Sequence, residues 1–484
     1  MQVRSINVNS LSYVSSNSKM TSPSAKSKAP VVLKNTLTNP KVIPFLGLSS
    51  RVLQAKAYLN SVRPEGGFDK FGTDIYKFDL NKLDGIQDGI KVFDGLNIKE
   101  LAFISRTVLS INTVRGCHNM CSHCYANALP PMKEAGEFIN KMSWEDFKSL
   151  TAGYRELADR LGFHISASKI DKSERIRYMA PFHDSDCMDL VMKDKEGKEH
   201  FADEIIKELS DSTGIKGLFD TTGWAVSNKK LQQLAERYVE FYSKPENFKN
   251  MKHINISINP FHALHTRSVM ERRAGNIEQA EKFREIYTER IANAIYTFTP
   301  LLKTGKLDFI IRGFDAERIG EVGKGFTVND LSALITEILG KVKQKYIQDF
   351  AGERKYIKSE DKIKSNIREI KKLMKNQLSD AVSLFDEERS LKTFGNSNKY
   401  YLSTKETIAE NNKTIKAAKG IKELSEEDLN GIIDSNGKYY ITTYYSTYPT
   451  ELQFNFINKN MKTAPIKPAL QEDIVIKRSV INNV

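Results

Sequence analysis

The sequence predicts an α/β protein built on a parallel sheet or barrel, and three observations carry that expectation. Strand-like and helix-like segments alternate from about residue 101 to 325, a rhythm that favours parallel strands with crossover helices. Each strand-like segment runs into a short polar loop before the next helix, and in such folds ligand-bearing groups gather at the carboxyl ends of the strands. No apolar run approaches the roughly 20 residues that a membrane span needs.

The elements follow in chain order. The first 40 residues are rich in Ser, Asn and Lys without periodicity, and residues 1–56 read as a disordered basic tail. Residues 57–100 form a lead-in. Leu101 to Val114 contains a β-branched, apolar stretch that enters a cysteine-bearing loop. Ser143 and Asp146 make a capping box for a helix whose apolar face is Trp144, Phe147, Leu150, Tyr154, Leu157 and Leu161, stopped by Gly162. A second strand, Ile176–Pro181, ends in the polar run Phe182-His183-Asp184-Ser185-Asp186-Cys187, and a helix follows near 201–209. Gly217–Gly223 is a third strand with its turn, and the next helix presents Leu231, Leu234, Ala235, Tyr238 and Phe241. His253–Ile258 is the fourth strand, 268–303 a long helical region, and Asp308–Gly313 the fifth strand.

Beyond the alternating core (101–325) the pattern changes. A helix capped by Thr327 and Asp330 carries the stripe Leu331, Leu334, Ile335 and Ile338. Residues 341–425 read as solvated Lys/Glu-rich helices within a helical region, 326–425. The last region, 426–484, holds a hairpin candidate at Gly431–Tyr444, turning at Asn436-Gly437, and a strand at Leu452–Phe456.

Charge is less informative than its total suggests. The net charge is +13, and residues 1–64 hold nine Lys or Arg and no acid, so the other 420 residues carry +4. Composition therefore permits a nucleic-acid partner without requiring one. A Ser-rich, acid-poor start also fits an organelle transit peptide, while a secretory signal lacks its apolar core; a cytoplasmic location is expected, with organelle import as the alternative. Only four cysteines occur, three of them in one loop, which excludes a disulfide framework.

Those three are Cys117, Cys121 and Cys124, in Arg115-Gly-Cys-His-Asn-Met-Cys-Ser-His-Cys-Tyr125. Three thiolates can hold three irons of a cubic cluster and leave the fourth open to a substrate or cofactor. Zinc is the rival ligand, with His118, His123 or the distant Cys187 completing its shell. Structural zinc sites usually pair C-x2-C with a second such pair, which this chain lacks.

The C-x3-C-x2-C run after a first strand resembles the radical S-adenosylmethionine (SAM) superfamily, over roughly residues 103–325. The resemblance implies a partial (β/α)6 TIM-like barrel, here with a helical and small β C-terminal extension. It implies a [4Fe-4S] cluster on Cys117, Cys121 and Cys124 whose open iron chelates SAM. Reductive cleavage of SAM then gives methionine and a 5′-deoxyadenosyl radical that abstracts hydrogen from a substrate. A one-electron donor such as a flavodoxin or ferredoxin is implied as partner. His123 stands where the family has an aromatic residue against the adenine, with Tyr125 beside it. Asp184-Ser185-Asp186 replaces the family's Gly-Gly-Glu and keeps a carboxylate for the SAM amine. Thr222 and Gly223 match the third-strand turn, and Ser257 and Asn259 the polar end of the fourth strand. Arg267 resembles an arginine that pairs with the SAM carboxylate, and Arg312 belongs to the fifth strand end that flanks the adenine.

His262 and His265 read as hydrogen-bonding or substrate-side groups, and Cys187 as a buried thiol or a hydrogen donor. With one cysteine left over, a single cluster is the limit. The substrate expected is a peptide or protein; a small metabolite, nucleoside or nucleic acid is the enzymatic alternative. A zinc-stabilised binding protein without catalysis is the alternative of another class. Deleting residues 1–40 should leave SAM cleavage by the purified protein unchanged, and a lost 5′-deoxyadenosine signal would refute the tail assignment.

Overall fold

The computed structural model describes residues 49–69, 75–117, 119, 140–165, 178–179, 185–258, 260, 262–311, 328–385, 430–442, 446–457, 469–470 and 474–482. All of them belong to one unit, Leu48–Val484. Residues 1–48, the capping residue Thr327 and the site residues Cys121, His123, Cys124, Tyr125, Asp184, Asn259 and Arg312 lie outside the described set.

The chain enters through helix α1 (Ser50–Val62), and α2 (Ile98–Thr107) leads directly into β1 (Val108–Ile111). The proposed tail boundary at residue 56 therefore falls inside a helix, whose Val52 and Ala55 are buried. The stretch from Leu101 is helical through Thr107 and becomes strand only at Val108. Asn97 and Glu100 form a reciprocal capping box at the start of α2. A short antiparallel pair follows, β2 (Val114–Arg115) with β3 (Asn140–Lys141). Helix α3 (Trp144–Leu161) is capped by Ser143, which accepts the Asp146 amide at 3.0 Å. Its expected stripe from Phe147 to Leu161 is buried.

Four parallel strands make the central sheet: β4 (Tyr178–Met179), β7 (Lys216–Thr221), β8 (Met251–Ile258) and β9 (Leu307–Ile311), side by side in that order. Between β4 and β7 lie the hairpin β5 (Val191–Lys193) with β6 (Glu199–Phe201) and helix α4 (Ala202–Thr213). The hairpin, which the sequence reading missed, is anchored by His200. Its ring stacks on Trp144 with centroids 3.7 Å apart, and its nitrogens meet Asp194 and Glu204. Helices α5 (Lys229–Tyr242) and α6 (Pro245–Phe248) connect β7 to β8; α7 (Ala263–Arg273) and α8 (Ile277–Phe298) connect β8 to β9. The long helical region expected at 268–303 is thus two helices, broken at Gly275.

The two faces of this sheet differ. Phe219, Ile254, Ile256, Ile258, Phe309 and Ile311 are buried on one face. That face looks toward α5 and α8, where Phe219 meets Tyr238 and Phe298 at 5.2 and 5.9 Å. The alternate positions carry Leu218, Asp220, His253, Asn255, Ser257, Asp308 and Ile310. Asp220, Asn255 and Asp308 form one cross-strand row, tied by an Asn255–Asp220 hydrogen bond of 2.7 Å. Parallel sheets are usually apolar on both faces, so this polar face is a departure.

The C-terminal region is not separate from the core. β10 (Asn430–Ile433) pairs in parallel with β1, and β11 (Lys438–Thr442), β12 (Ser446–Gln453) and β13 (Ala469–Leu470) extend that second sheet. β1 also lies against β4, so it borders both sheets. Among the described residues the strands form no closed barrel. In the β10–β11 turn only Gly437 has a positive φ; Asp434 shapes the turn by accepting the Asn436 and Lys438 amides.

The Lys/Glu-rich region also differs from expectation. Helix α9 (Val328–Ala351) and the described part of α10 (Glu360–Phe385) pack on the core rather than standing in solvent. Leu331, Leu334, Ile338, Val342, Tyr346, Ile363, Ile370 and Met374 are buried. Arg284–Glu337, Lys341–Glu285 and Lys345–Glu289 ion pairs join α8 to α9 at 2.5–2.6 Å. The charges that looked solvated line the rims of a buried stripe. Among the described residues no helix is long and apolar enough to cross a membrane.

One polar crosslink joins α3 to α4. Glu208 accepts both Arg155 terminal nitrogens, at 2.9 and 2.7 Å, together with Thr151 and Lys148. Burial pushes its carboxyl up, but these bonds outweigh burial and hold it down at about 2. The folded value lies below the ordinary 4.5, so the stabilisation is full above that value and fades as pH falls toward 2. Glu208→Gln should cost roughly 1–2 kcal/mol at pH 7, discounted for half-exposed Arg155 and Lys148. Urea unfolding of both proteins should show the gap narrowing below pH 4.5.

Candidate functional site

The cysteine run leaves the carboxyl end of β1. There the Asn112 amide donates to the Ile433 carbonyl at 2.8 Å, so β10 fixes the point of departure. The β2–β3 pair then brackets the segment that carries the cysteines. Cys117 is half-buried.

Two residues on, Asn119 is 4% exposed and uses both ends of its side chain. Its nitrogen donates to Asp186 Oδ2 at 2.9 Å. Its oxygen accepts from His262 Nε2 and Arg290 Nη2, each at 3.1 Å. Its backbone carbonyl accepts the Ala263 amide at 3.3 Å. These partners follow β4, follow β8 and lie on α8, so one amide joins the cysteine run to three other parts of the chain.

Asp186 caps a short helical turn and accepts the Met188 amide at 2.9 Å on Oδ1. Oδ2 takes the Asn119 amide, the Thr222 amide at 2.8 Å and the Thr222 hydroxyl at 3.3 Å. Burial pushes its carboxyl up and the neighbouring Asp189 adds to this, while the amides of Met188 and Thr222 pull it down. With three donors on Oδ2, Asp186 is a brace between loops rather than an open acceptor for an ammonium group. Ser185 beside it is half-buried.

The third-strand turn is held just as firmly. Gly223 has φ +82°, and a Cβ there would stand 2.7 Å from the Arg290 carbonyl. A side chain is excluded on both counts. Its amide donates to Thr221 Oγ1 at 3.0 Å, and its carbonyl accepts Arg290 Nη2 at 2.9 Å. Ser257 is buried on the polar face of the sheet. Arg267 goes elsewhere: it is exposed on α7, with its guanidinium over the Phe283 ring at 5.7 Å. Among the described residues, Arg290 is an arginine that reaches the strand ends, at Asn119 and Gly223.

The histidines act through hydrogen bonds. His262 caps α7, its Nδ1 accepting the Leu264 amide at 3.2 Å, which leaves Nε2–H to donate to Asn119. His265 Nδ1 donates to the Pro260 carbonyl at 2.6 Å, and burial pushes its pKa down to about 4. Cys187 is fully buried, its thiol directed to the Leu218 carbonyl at 3.9 Å. Burial, then the Asp220 charge, push that thiol well up, which favours its protonated form. Among the described residues no three His, Cys, Asp or Glu side chains gather as a metal-ligand group. A cavity of about 440 Å³ lies elsewhere, lined by Arg51, Gln54, Tyr58, Asn81, Lys82 and Asp84.

Asn119, His262 as a cap and Arg290 are the residues that sequence reasoning missed or misplaced. Arg290 did leave a signal: it is a charge spaced between Tyr287 and Ala294, both buried on α8, where a lone charge is unusual. Asn119 left none beyond lying between two cysteines.

Removing the Asn119 amide strips one partner each from Asp186, His262 and Arg290. Asn119→Ala should therefore cost about 3 kcal/mol, against less than about 0.5 kcal/mol for exposed Arg267→Ala. Urea denaturation of the two variants checks the difference. Comparison with protein-family models, with curated proteins and with solved structures returns no match.

Proposed function

We propose that this chain is a radical SAM enzyme with a single [4Fe-4S] cluster. The observation that carries the reading is Asn119. It ties the start of a C-x3-C-x2-C run, beyond the carboxyl end of β1, to the loops after β4 and β8. That edge is where parallel α/β folds place their chemistry.

The order of the strands supports the partial-barrel form of the fold. β1 lies against β4, and β4, β7, β8 and β9 then follow side by side, all parallel. The polar face with Asp220, Asn255, Ser257 and Asp308 suits a ligand-lined interior better than a packed one.

The donor set fits a cluster with an open site. Cys117 is half-buried, and Cys121 and Cys124 supply two more thiolates within the same run. Three thiolates leave one iron of a cubic cluster without a protein ligand. The chemistry such a group supplies when bound is one-electron reductive cleavage of SAM. The chain's own part is positional: Asp186 braces the second-strand loop, Gly223 lets the third-strand turn approach α8, and Asn119 ties both to the cysteines. The carboxylate for the SAM amine passes to Asp184, since Asp186 is occupied. A peptide or protein remains the substrate class proposed, and a flavodoxin or ferredoxin the electron donor. The zinc-binding alternative loses Cys187 as its fourth ligand, because that thiol is buried and bonded to Leu218.

Anaerobic reconstitution with iron and sulfide tests the reading. The wild type should take up about four irons per chain and, once reduced, release 5′-deoxyadenosine from SAM. Cys121→Ala should lose both. A colourless wild type with one tightly bound zinc would overturn the proposal.

A further inference from the structure

Helix α10 turns one side to the core and another to solvent. Ile363, Asn366, Ile370 and Met374 are buried. Lys364, Arg368, Lys371 and Lys372 are exposed. At 3.6 residues per turn these four cations fall within about 100° of arc, away from the buried positions, along about 12 Å of helix axis. Exposed Lys375 continues the row.

The charge of this row is uncompensated. Lys341 and Lys345 of α9 pair with Glu285 and Glu289, and Lys355, in the connection to α10, pairs with Glu236. Among the described residues, none of Lys364, Arg368, Lys371 and Lys372 has an ion-pair partner. Lys364 and Arg368, and again Arg368 and Lys372, are four residues apart, where like charges repel on a helix. Residues 358–375 hold seven Lys or Arg and three acids, a net of +4. Residues 65–484 also total +4, so this one stretch carries the whole excess and the rest is balanced. Solubility is served by interspersed charges of both signs, so it does not account for a row of one sign.

The chemistry of the face selects among polyanions. Contact surfaces between proteins are depleted in lysine and enriched in aromatic side chains, and the row holds no aromatic residue. A helix that binds an anionic membrane sinks an apolar side into it, and the apolar side of α10 is committed to the core. A phosphate backbone asks only for a row of cations, and 12 Å of duplex axis carries about seven phosphates. We propose that this face of α10 is a docking surface for the phosphate backbone of a nucleic acid. Binding through phosphates positions the strand without reading its sequence. The surface stands apart from the cysteine run, and the proposal does not rest on the iron–sulfur reading.

The test measures binding of the full-length protein to a short labelled DNA duplex by fluorescence anisotropy, across about 50–200 mM salt. Wild type is compared with the combined variant Lys364→Gln, Arg368→Gln, Lys371→Gln and Lys372→Gln. A charge-matched control carries Lys195→Gln, Lys198→Gln, Lys229→Gln and Lys230→Gln, all at exposed positions outside α10. Residues 1–64, with their nine cations, are common to all three proteins and drop out of the comparison. The α10 variant should bind about tenfold more weakly or worse, and its slope of log affinity against log salt should be shallower by about 3–4. The control should stay close to wild type. If the combined variant does not fold, Lys364→Gln with Lys371→Gln takes its place, with about half the slope change. Single-stranded DNA and duplex RNA run alongside; the loss must appear on at least one of the three, and the tightest names the form bound. An α10 variant with the wild-type slope overturns the proposal, as does an equal loss in the control. Polyglutamate or anionic lipid vesicles bound as tightly as the duplex, with the same loss in the α10 variant, would overturn it in favour of an acidic protein or a membrane.

Discussion

Asn119 commits its whole side chain to partners from three parts of the sequence: Asp186, His262 and Arg290. A buried amide is tolerated only when its donors and acceptors are met, and each partner here has the same need. Asp186 depends on Asn119 and Thr222, His262 on Asn119 and Leu264, Arg290 on Asn119 and Gly223. Networks of this kind fix a single arrangement, because any one group left unpaired costs more than the bond it lost. The strand ends are therefore held in register by polar contacts, while the apolar face below them supplies most of the burial. The two tasks are divided between opposite faces of one sheet.

The fold was legible where period and caps agree. Ser143 and Gly162 bound α3, and the strands at β7, β8 and β9 lie within two residues of their expected ends. It was illegible where partners are distant in sequence. Nothing in Gly431-Ile-Ile433 indicates that its partner is Val108–Ile111. The α9 and α10 stripes are spaced by helix period among many lysines, so composition suggested solvation where periodicity meant packing. The hairpin of β5 and β6 is three residues a side, too short for alternation to register.

The candidate site divides the same way. Thr222, Gly223 and Asp186 were found because each closes a strand with a polar residue, a local signal. Their roles were not, because whether a carboxylate binds a ligand or braces a loop depends on donors from elsewhere. Arg267 and Arg290 make the point: both are arginines on helices after β8, and only packing decides which one turns inward. Arg267 is exposed on α7, whereas Arg290 is half-buried on α8 and reaches Asn119 and Gly223.

The pairing of β1 with β10 has a consequence for how the chain is made. Synthesis runs from the amino end, so β1 and its cysteine run emerge long before residue 431 exists. Until then one edge of β1 has no partner, and an unpaired strand edge invites association with other chains. The tie from Asn112 to Ile433 is equally late. Assembly of the cysteine edge thus waits for a region that leaves the ribosome long after the cysteines themselves. A chain cut short before β10 would carry all three cysteines yet lack the strand that anchors their loop.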